Sequence, residues 1–407
     1  MKVLYYHQHF STPAGATGIR SYEMAKRLIA RGHQVLMICG SYGGAQTGLS
    51  QPFVAGMRRG LVDGIDVIEF ELPYSNRDGL LKRTWTFLKF AARSSWFALR
   101  EPCDLVFATT TPLTAAIPGI VARVLRGRRF VFEVRDLWPE LPREMGVIKN
   151  PVVLTLMSWL EWSGYHAACR VIGLSPGIVE GVVRRGIARE RVAMVPNGCD
   201  IDLFDTDASL AWRPPGVAAS DLMAVFAGTH GQANGLGAVL DAAAVLKARG
   251  RHDIKLVLIG QGKLKSALKE RAAREGLHNV IFHDSVNKRQ LSGLMAATNV
   301  GMQVLANIPA FYFGTSPNKF FDYLSAGLPV LNNYPGWLAG LLQEQGAGVA
   351  VPPDDPNAFA DALISMADNR EALAAMGVAA KRLAREQFDR ARLSNQFVDW
   401  LEGAVRA

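Results

Sequence analysis

The chain has 407 residues, of which 49% are apolar and 20% charged, enough for two domains with packed cores and too apolar for long disordered tracts. Cys39, Cys103, Cys169 and Cys199 form no CxxC pair, which argues against a zinc ribbon, a disulfide scaffold and a dithiol redox motif. The formal charge is +9, and the excess lies in the first half: 25 Lys and Arg against 15 Asp and Glu up to Val195, then 20 against 21 from Pro196 onward. That asymmetry points to an anionic partner for the first half, whether nucleic acid, a membrane surface or a phosphorylated substrate; a charged surface kept for solubility is the plain alternative.

In chain order, Lys2–His7, Gln34–Cys39, Ile65–Phe70, Asp104–Thr109, Arg129–Val134 and Cys169–Leu174 read as strands. Their near-continuous Val, Ile, Leu and Phe content suits parallel strands buried on both faces. Helical patterns such as Ile19–Arg31 and Ala115–Leu125 separate them. A second series runs through Leu222–Ala227, Ile254–Ile259, Val280–Phe282, Val300–Val304, Pro329–Leu331 and Gly348–Val351. This alternation predicts an α/β protein of two doubly wound, Rossmann-like domains. The boundary falls within Pro196–Gly216, where PNG, an acidic run and RPPG crowd together, giving domains of 1–195 and 196–388, with a helix over about 389–407 packing back on the first. Ligands of such sheets bind beyond the carboxyl ends of the strands, so a cleft between the domains is the expected active site.

The N-terminus has no signal-peptide core, and the longest apolar stretch, Pro151–Leu160, stops at Glu161, short of the roughly 18 residues a spanning helix needs. A cytoplasmic protein is expected. Neither TPAGATGIR (12–20) nor GTHGQANGLG (228–237) has GxGxxG spacing, so dinucleotide binding is not indicated. Both loops still precede helices and can offer backbone N–H groups to an anion; the other reading of their glycines is tight turns alone.

Five segments carry a resemblance in order and spacing: TPAGATGIRSYEMAKRLIARGHQV (12–35), IGLSPGIVEGVVRRGIARERVAMVPNGCDIDLF (172–204), VFAGTHGQANGL (225–236), LVLIGQGKLKSALKERA (256–272) and SPNKFFDYLSAGLPVL (316–331). Together they resemble the retaining family-4 glycosyltransferases of GT-B fold, two Rossmann-like domains facing across a cleft. FSTPAGATGIRSYE (10–23) and RDLWPE (135–140) are most similar to transferases of bacterial surface-polysaccharide assembly, of the N-acetyl-L-fucosamine type in O-antigen synthesis. The resemblance implies a UDP-sugar donor, a polyprenyl-diphosphate-linked saccharide as acceptor, no cofactor, no metal and no nucleic-acid partner.

It also implies site residues. The second acid of the family's Glu-x7-Glu motif, which binds the ribose hydroxyls, falls at Asp322; the first falls at Gly314 and is missing. A carboxylate accepting two hydroxyl hydrogen bonds suits a diol. Thr315, Ser316 and the backbone of Asn318 are then expected to meet the sugar or the phosphates. The cations that the family often places after the first strand of the second domain are replaced by Thr229 and Asn234, in the loop with Gly228 and Gly231. Lys263 and Lys319 are the nearest candidates to offset the leaving diphosphate. On the acceptor side the loop is Gly15, Ala16, Thr17 and Gly18 with Arg20, and the catalytic pair is Arg135, for acceptor phosphate, and Asp136, for the acceptor hydroxyl. A structural ion pair is the alternative for these two. Asp200-Ile-Asp202 has DxD form but lies in the hinge motif, and the histidines show no HxxxH spacing. GLSPG around Ser175 is not a nucleophile elbow. Two rival readings stay open: a UDP-sugar 2-epimerase of the same fold, and a non-catalytic sugar-nucleotide-binding protein.

Residues 80–100, LLKRTWTFLKFAARSSWFALR, place Leu81, Trp85, Leu88, Ala92, Trp96 and Leu99 on one helical stripe, beside Lys82, Lys89, Arg93 and Arg100. No acid occurs from Gly79 to Arg100. This composition predicts a helix lying on an anionic membrane, with Phe90 and Phe97 beyond the basic stripe; a core-facing stripe is the alternative.

Overall fold

The structure, a computed structural model, describes residues 1–15, 18–43, 45–74, 78–205 and 208–406. Ala16 and Thr17 of the acceptor-side loop lie outside the described residues. The chain forms two compact units: Met1–Pro196 with Gly314–Ser316 and Ala391–Ala407, and Asn197–Phe313 with Pro317–Arg390. Among the described residues no helix is long and apolar enough to cross a membrane.

The first unit is built on eight strands: β1 (Lys2–Tyr6), β2 (Gln34–Tyr42), β3 (Met57–Val62), β4 (Ile65–Tyr74), β5 (Leu105–Thr109), β6 (Phe130–Val134), β7 (Arg170–Gly173) and β8 (Val192–Met194). Their order is β3-β4-β2-β1-β5-β6-β7-β8. All pairs are parallel except β3 with β4. LVFAT and FVFEV are wholly buried, as strands covered on both faces by helices must be. Close cover needs small residues: a Cβ on Gly119, in the helix Ala116–Arg126, would stand 2.1 Å from the Phe130 ring. The C-terminal helix Arg390–Arg406 buries Phe397 against Tyr5 and Phe107, at 6.5 and 5.1 Å between ring centroids.

The second unit has six strands, β9 (Leu222–Ala227), β10 (Ile254–Ile259), β11 (Val280–His283), β12 (Val300–Gln303), β13 (Val330–Asn332) and β14 (Gly348–Ala350). They are all parallel, in the order β11-β10-β9-β12-β13-β14. Phe226, Leu240, Leu256, Val300 and Phe359 are among the residues of its core. Both units therefore have the predicted doubly wound form.

Two strands escape a reading by apolar runs. β3, MRRGLV, lies at the sheet edge and is nowhere fully buried, and β8 has only three residues. The Asp200-Ile-Asp202 motif is structural at Asp200, whose carboxylate accepts from Nε and Nη2 of Arg390.

Candidate active site

In the second unit, the loop after β9 and the loop after β10 cross closely. Gly228 N donates to Ile259 O at 2.9 Å, and His230 N to Gln261 O at 2.9 Å. Gly260 has φ of +145°, and a Cβ there would lie 1.9 Å from Gly228 O, so only glycine permits the crossing. Gly231 begins the short turn Gln232–Asn234, and Asn234 Nδ2 donates to Thr229 O at 2.7 Å.

Lys319 reaches this loop from the helix Asn318–Ser325. Its Nζ donates to Asn234 Oδ1 at 2.8 Å and stands 4.5 Å from the centre of the Phe226 ring. A Cβ on Gly228 would be 3.2 Å from Lys319 Cε. Among the described residues no carboxylate pairs with it, and burial pushes its pKa from 10.5 down to about 7. The sequence places no cation in the loop itself; the fold brings one in from a distant helix. Lys263 is exposed in the turn before the helix Lys265–Arg274, beside Leu264, whose N donates to His230 O at 3.0 Å. Lys265 is the buried lysine there, bound to Gly260 O, His283 O and Asp284 Oδ1 at 2.8, 2.9 and 2.6 Å.

Asp322 sits one turn beyond Lys319 and is buried. Both its oxygens accept from Lys288 Nζ, at 2.7 and 2.8 Å. Lys288 opens a helix started by a capping box between Asn287 and Gln290, and the N-x-x-Q spacing is the one signal that could have located it. Asn318 is exposed at its helix start, and Thr315 and Ser316 belong to the first unit. Gly314 has no atom within 4 Å of where a side chain would begin. His230, also missed, is fully buried with neither ring nitrogen partnered among the described residues; burial, then Lys265, lowers its pKa to about 4.

In the first unit, the ends of β1, β5 and β6 converge on Glu133, which is fully buried. Arg20 Nη2 and Nε donate to its Oε2 at 2.7 and 3.1 Å; Arg20 also donates to Pro196 O at 2.6 Å and Val195 O at 2.8 Å. Arg135 Nε donates to Thr109 Oγ1 at 2.8 Å and Glu133 Oε1 at 3.3 Å, and its Nη2 to Ser21 Oγ at 2.9 Å. Burial alone would raise the Glu133 pKa, but Arg20 and Arg135 outweigh it and hold the carboxyl below its ordinary range.

Two expectations change here. Arg20 is 2% exposed, a core cation that ties the first helix to β6 rather than a loop group open to a ligand. Arg135 turns its Nε and Nη2 inward onto the same carboxylate and onto the Thr109 and Ser21 hydroxyls, so its ion pair is with Glu133 and not with Asp136, and only Nη1 lacks a partner among the described residues. The cause is Glu133, one more acid inside an apolar strand, which requires compensation.

Asp136 accepts from Thr111 Oγ1 at 3.3 Å, and burial raises its pKa, the direction that suits a proton acceptor. His7 is buried nearby with its Nδ1 unpartnered among the described residues; burial, then Arg135, lowers its pKa well below the ordinary value. Gly15 and Gly18 flank the loop that leads into the Arg20 helix.

The helix Leu80–Arg100 turns its tryptophan stripe outward: Leu81, Trp85 and Trp96 are 89%, 60% and 53% exposed. Phe90, by contrast, is in the core beside Phe70, and Phe97 packs on the same ring at 5.7 Å. The two phenylalanines are thus the face that binds the sheet, not part of an outer aromatic surface. Lys89 and Arg100 lie over Trp85 and Trp96, at 5.3 and 3.4 Å from the ring centres. The helix Pro151–Ala167 also exposes Leu156, Trp159 and Trp162.

Two sheets of this topology, with ligand-ready loops at the carboxyl ends of their strands, define a two-domain α/β protein of the GT-B kind. Residues 15–198 match the family described as Glycosyl transferase 4-like domain, and residues 222–369 match Glycosyl transferases group 1. The chain belongs to the glycosyl transferase group 1 family with a 4-like N-terminal domain. A protein of Escherichia coli strain K12 named 'Putative colanic acid biosynthesis glycosyl transferase WcaI' is 24% identical over 99% of this chain and 100% of its own. Among solved structures, sucrose-phosphate synthase of Thermosynechococcus elongatus aligns with TM-score 0.73 at 16% identity, covering 99% of this chain and 98% of that one. HepE of Anabaena, solved in complex with UDP and glucose, aligns with TM-score 0.70 at 20% identity, covering 99% and 100%.

Proposed function

We propose that the protein transfers a sugar from a UDP-sugar to a polyprenyl-diphosphate-linked saccharide, with retention and without a metal, in surface-polysaccharide synthesis. The observation that carries this reading is Lys319: an ammonium with no carboxylate partner among the described residues, held against the loop after β9, one helical turn from a buried carboxylate. The pair suits the diphosphate and ribose of one nucleotide. The complex of HepE with UDP and glucose and the role in WcaI's name support the donor class and the pathway class. An N-acetylated deoxyhexose such as N-acetyl-L-fucosamine is the sugar proposed, from the motifs at 10–23 and 135–140.

In the proposed mechanism Asp322, whose oxygens also accept from Lys288 Nζ, accepts hydrogen bonds from the ribose hydroxyls. Lys319 and the backbone N–H groups of the Gly228–Asn234 loop take up charge as the diphosphate leaves. The acceptor oxygen bonds to the anomeric carbon on the face that the phosphate oxygen vacates, and that phosphate oxygen takes the hydroxyl proton. Asp136 orients the acceptor hydroxyl, and Arg135 holds the strand end that carries it. Turnover with a panel of UDP-sugars and a polyprenyl-diphosphate saccharide tests the reading. Interconversion of free UDP-sugars would favour the epimerase, and binding without turnover a non-catalytic protein.

Asp322→Ala should weaken UDP binding about tenfold to a hundredfold, the loss of a charge-assisted hydrogen bond worth about 1.5–3 kcal/mol. Calorimetry with UDP checks this, and unchanged affinity would remove Asp322 from the site.

The exposed Trp and Leu stripe between basic residues supports a peripheral place on the inner face of the cell membrane. Each cation near an anionic surface contributes about 1 kcal/mol; Lys89 and Arg100 lie over the exposed Trp85 and Trp96, while Lys82 pairs with Asp78 and Arg93 donates to Gly56 O and Ala55 O. The wild type should float with anionic liposomes at low salt, and a variant with Lys82, Lys89, Arg93 and Arg100 all changed to Glu should stay in the soluble fraction. Equal behaviour of the two proteins would count against the membrane role.

A further inference from the structure

We infer that the first unit holds a pocket for the phosphoethanolamine headgroup of a membrane phospholipid; this rests on the membrane placement proposed above and adds a specific lipid to it. A cavity of about 690 Å³ lies among the helices Glu140–Glu144, Pro151–Ala167 and Pro176–Arg184, lined by Trp138, Glu140, Arg143, Trp159, Trp162 and Arg184 among others. Apart from Leu137–Pro139 and the helix-ending Arg185, helices make its walls, so it is a groove in the outer helical layer. Its size suits a small ligand held at one end.

The helix Pro151–Ala167 supplies the apolar side. No charged residue occurs from Pro151 to Leu160, and Leu156 and Trp159 are 62% and 66% exposed. A helix that covers a sheet normally turns polar residues outward. Here the first charge, Glu161, is buried and held by Tyr165 OH at 2.9 Å and Arg185 Nη2 at 2.5 Å. An exposed apolar face at the mouth of a polar groove suits a lipid, with its chains on the tryptophans and its headgroup in the groove. The face is continuous with the helix Leu80–Arg100, because the helix Ala116–Arg126 packs against both. A Cβ on Gly164 would stand 3.3 Å from Ala116 Cβ, and Arg128 Nη1 donates to Ala98 O at 2.9 Å.

The charges of the groove select the headgroup. Glu161 and Arg185 are spent on each other. Arg143, Arg184 and Glu140 line the groove with no ion-pair partner among the described residues, and the indole N–H of Trp138 is buried without an acceptor. Two guanidiniums and an N–H suit the oxygens of a phosphodiester. The carboxylate suits a primary ammonium, which brings three donors. Phosphoethanolamine carries both groups. A wholly anionic headgroup would leave Glu140 unanswered, and choline has no N–H to donate. A lipid held at this point would fix the angle at which the first unit meets the bilayer, which attraction to a charged stripe leaves free.

The test is calorimetry on the full chain with dihexanoyl-phosphatidylethanolamine below its micelle concentration, beside dihexanoyl-phosphatidylcholine, free phosphoethanolamine and inorganic phosphate. The wild type should bind the ethanolamine lipid saturably, and about tenfold or more tighter than each of the other three. Arg184→Gln should weaken that binding about tenfold or more. Thr155→Trp, at an exposed wall position, fills the groove and should do the same. Glu140→Ala should bring the ethanolamine and choline lipids to equal affinity. UDP affinity should stay unchanged in all three variants. No saturable binding of the ethanolamine lipid, equal wild-type affinity for the choline lipid or for inorganic phosphate, or undiminished binding in Thr155→Trp overturns the pocket. A wild type that binds the ethanolamine lipid in this pattern, yet does not float with anionic liposomes, overturns the charged-stripe reading and leaves the pocket standing.

Discussion

Changing Lys319 to Met is expected to lower turnover by about a hundredfold to a thousandfold, the usual loss when one group that stabilises developing charge is removed. The fold should survive, because the side chain makes one hydrogen bond, to Asn234, and Met can occupy the same space over Phe226. The pH dependence is the sharper readout. The Lys319 pKa in the empty site is about 7. Only the protonated form offers charge to a diphosphate, so UDP affinity should be flat below pH 7 and weaken as pH rises above it, by at most about tenfold per unit. Lys319→Met should bind UDP more weakly at pH 6 and show no such slope. Wild-type activity should persist in EDTA. A wild type whose UDP affinity does not change between pH 6 and 9 would show that Lys319 does not meet the diphosphate, and loss of activity in EDTA would show that a metal does.

Glu133→Ala is expected to be the most damaging single change in the first unit. It leaves the guanidiniums of Arg20 and Arg135 in the interior without their carboxylate. Breaking a buried pair in this way costs about 3–5 kcal/mol. The exposed pair Arg59–Asp66 is the control, where Asp66→Ala should cost less than about 1 kcal/mol. Urea unfolding followed by tryptophan fluorescence measures both, and equal midpoints for the two variants would refute the assignment. The sign with pH follows from the lowered Glu133 pKa: its contribution is complete above the ordinary carboxylate range and is lost as pH falls through the lowered value. Arg135 is coupled to the same carboxylate, so Arg135→Ala combines a structural loss with any effect on transfer and is a poor probe of acceptor binding.

The Arg20 result shows how local context misleads. Beside Gly15 and Gly18, an arginine after a glycine loop reads as an anion ligand. Its buried partner lies on β6, more than a hundred positions away, and nothing within ten residues indicates it. Lys319 is the opposite case. Sequence motif alone placed it near the donor, but Lys263 stood equally well until the fold set one lysine against Phe226 and left the other in solvent. Phe90 and Phe97 erred for a third reason. A helix with apolar residues on two sides does not declare which side meets the sheet; the contact with Phe70 decides it.

What the amino-acid sequence determined by itself was the pair of doubly wound sheets and the family, because buried parallel strands leave continuous apolar runs and the motif order is preserved from residue 12 to 331. The edge strand β3 and the three-residue β8 lacked that signal. Tertiary structure alone decided which charges are spent inside the protein and which remain available. The Lys288–Asp322 pair and the Arg20–Glu133–Arg135 cluster both join residues distant in the chain. Charge pairing depends on distances of a few ångströms, and those are set only when the strand ends come together.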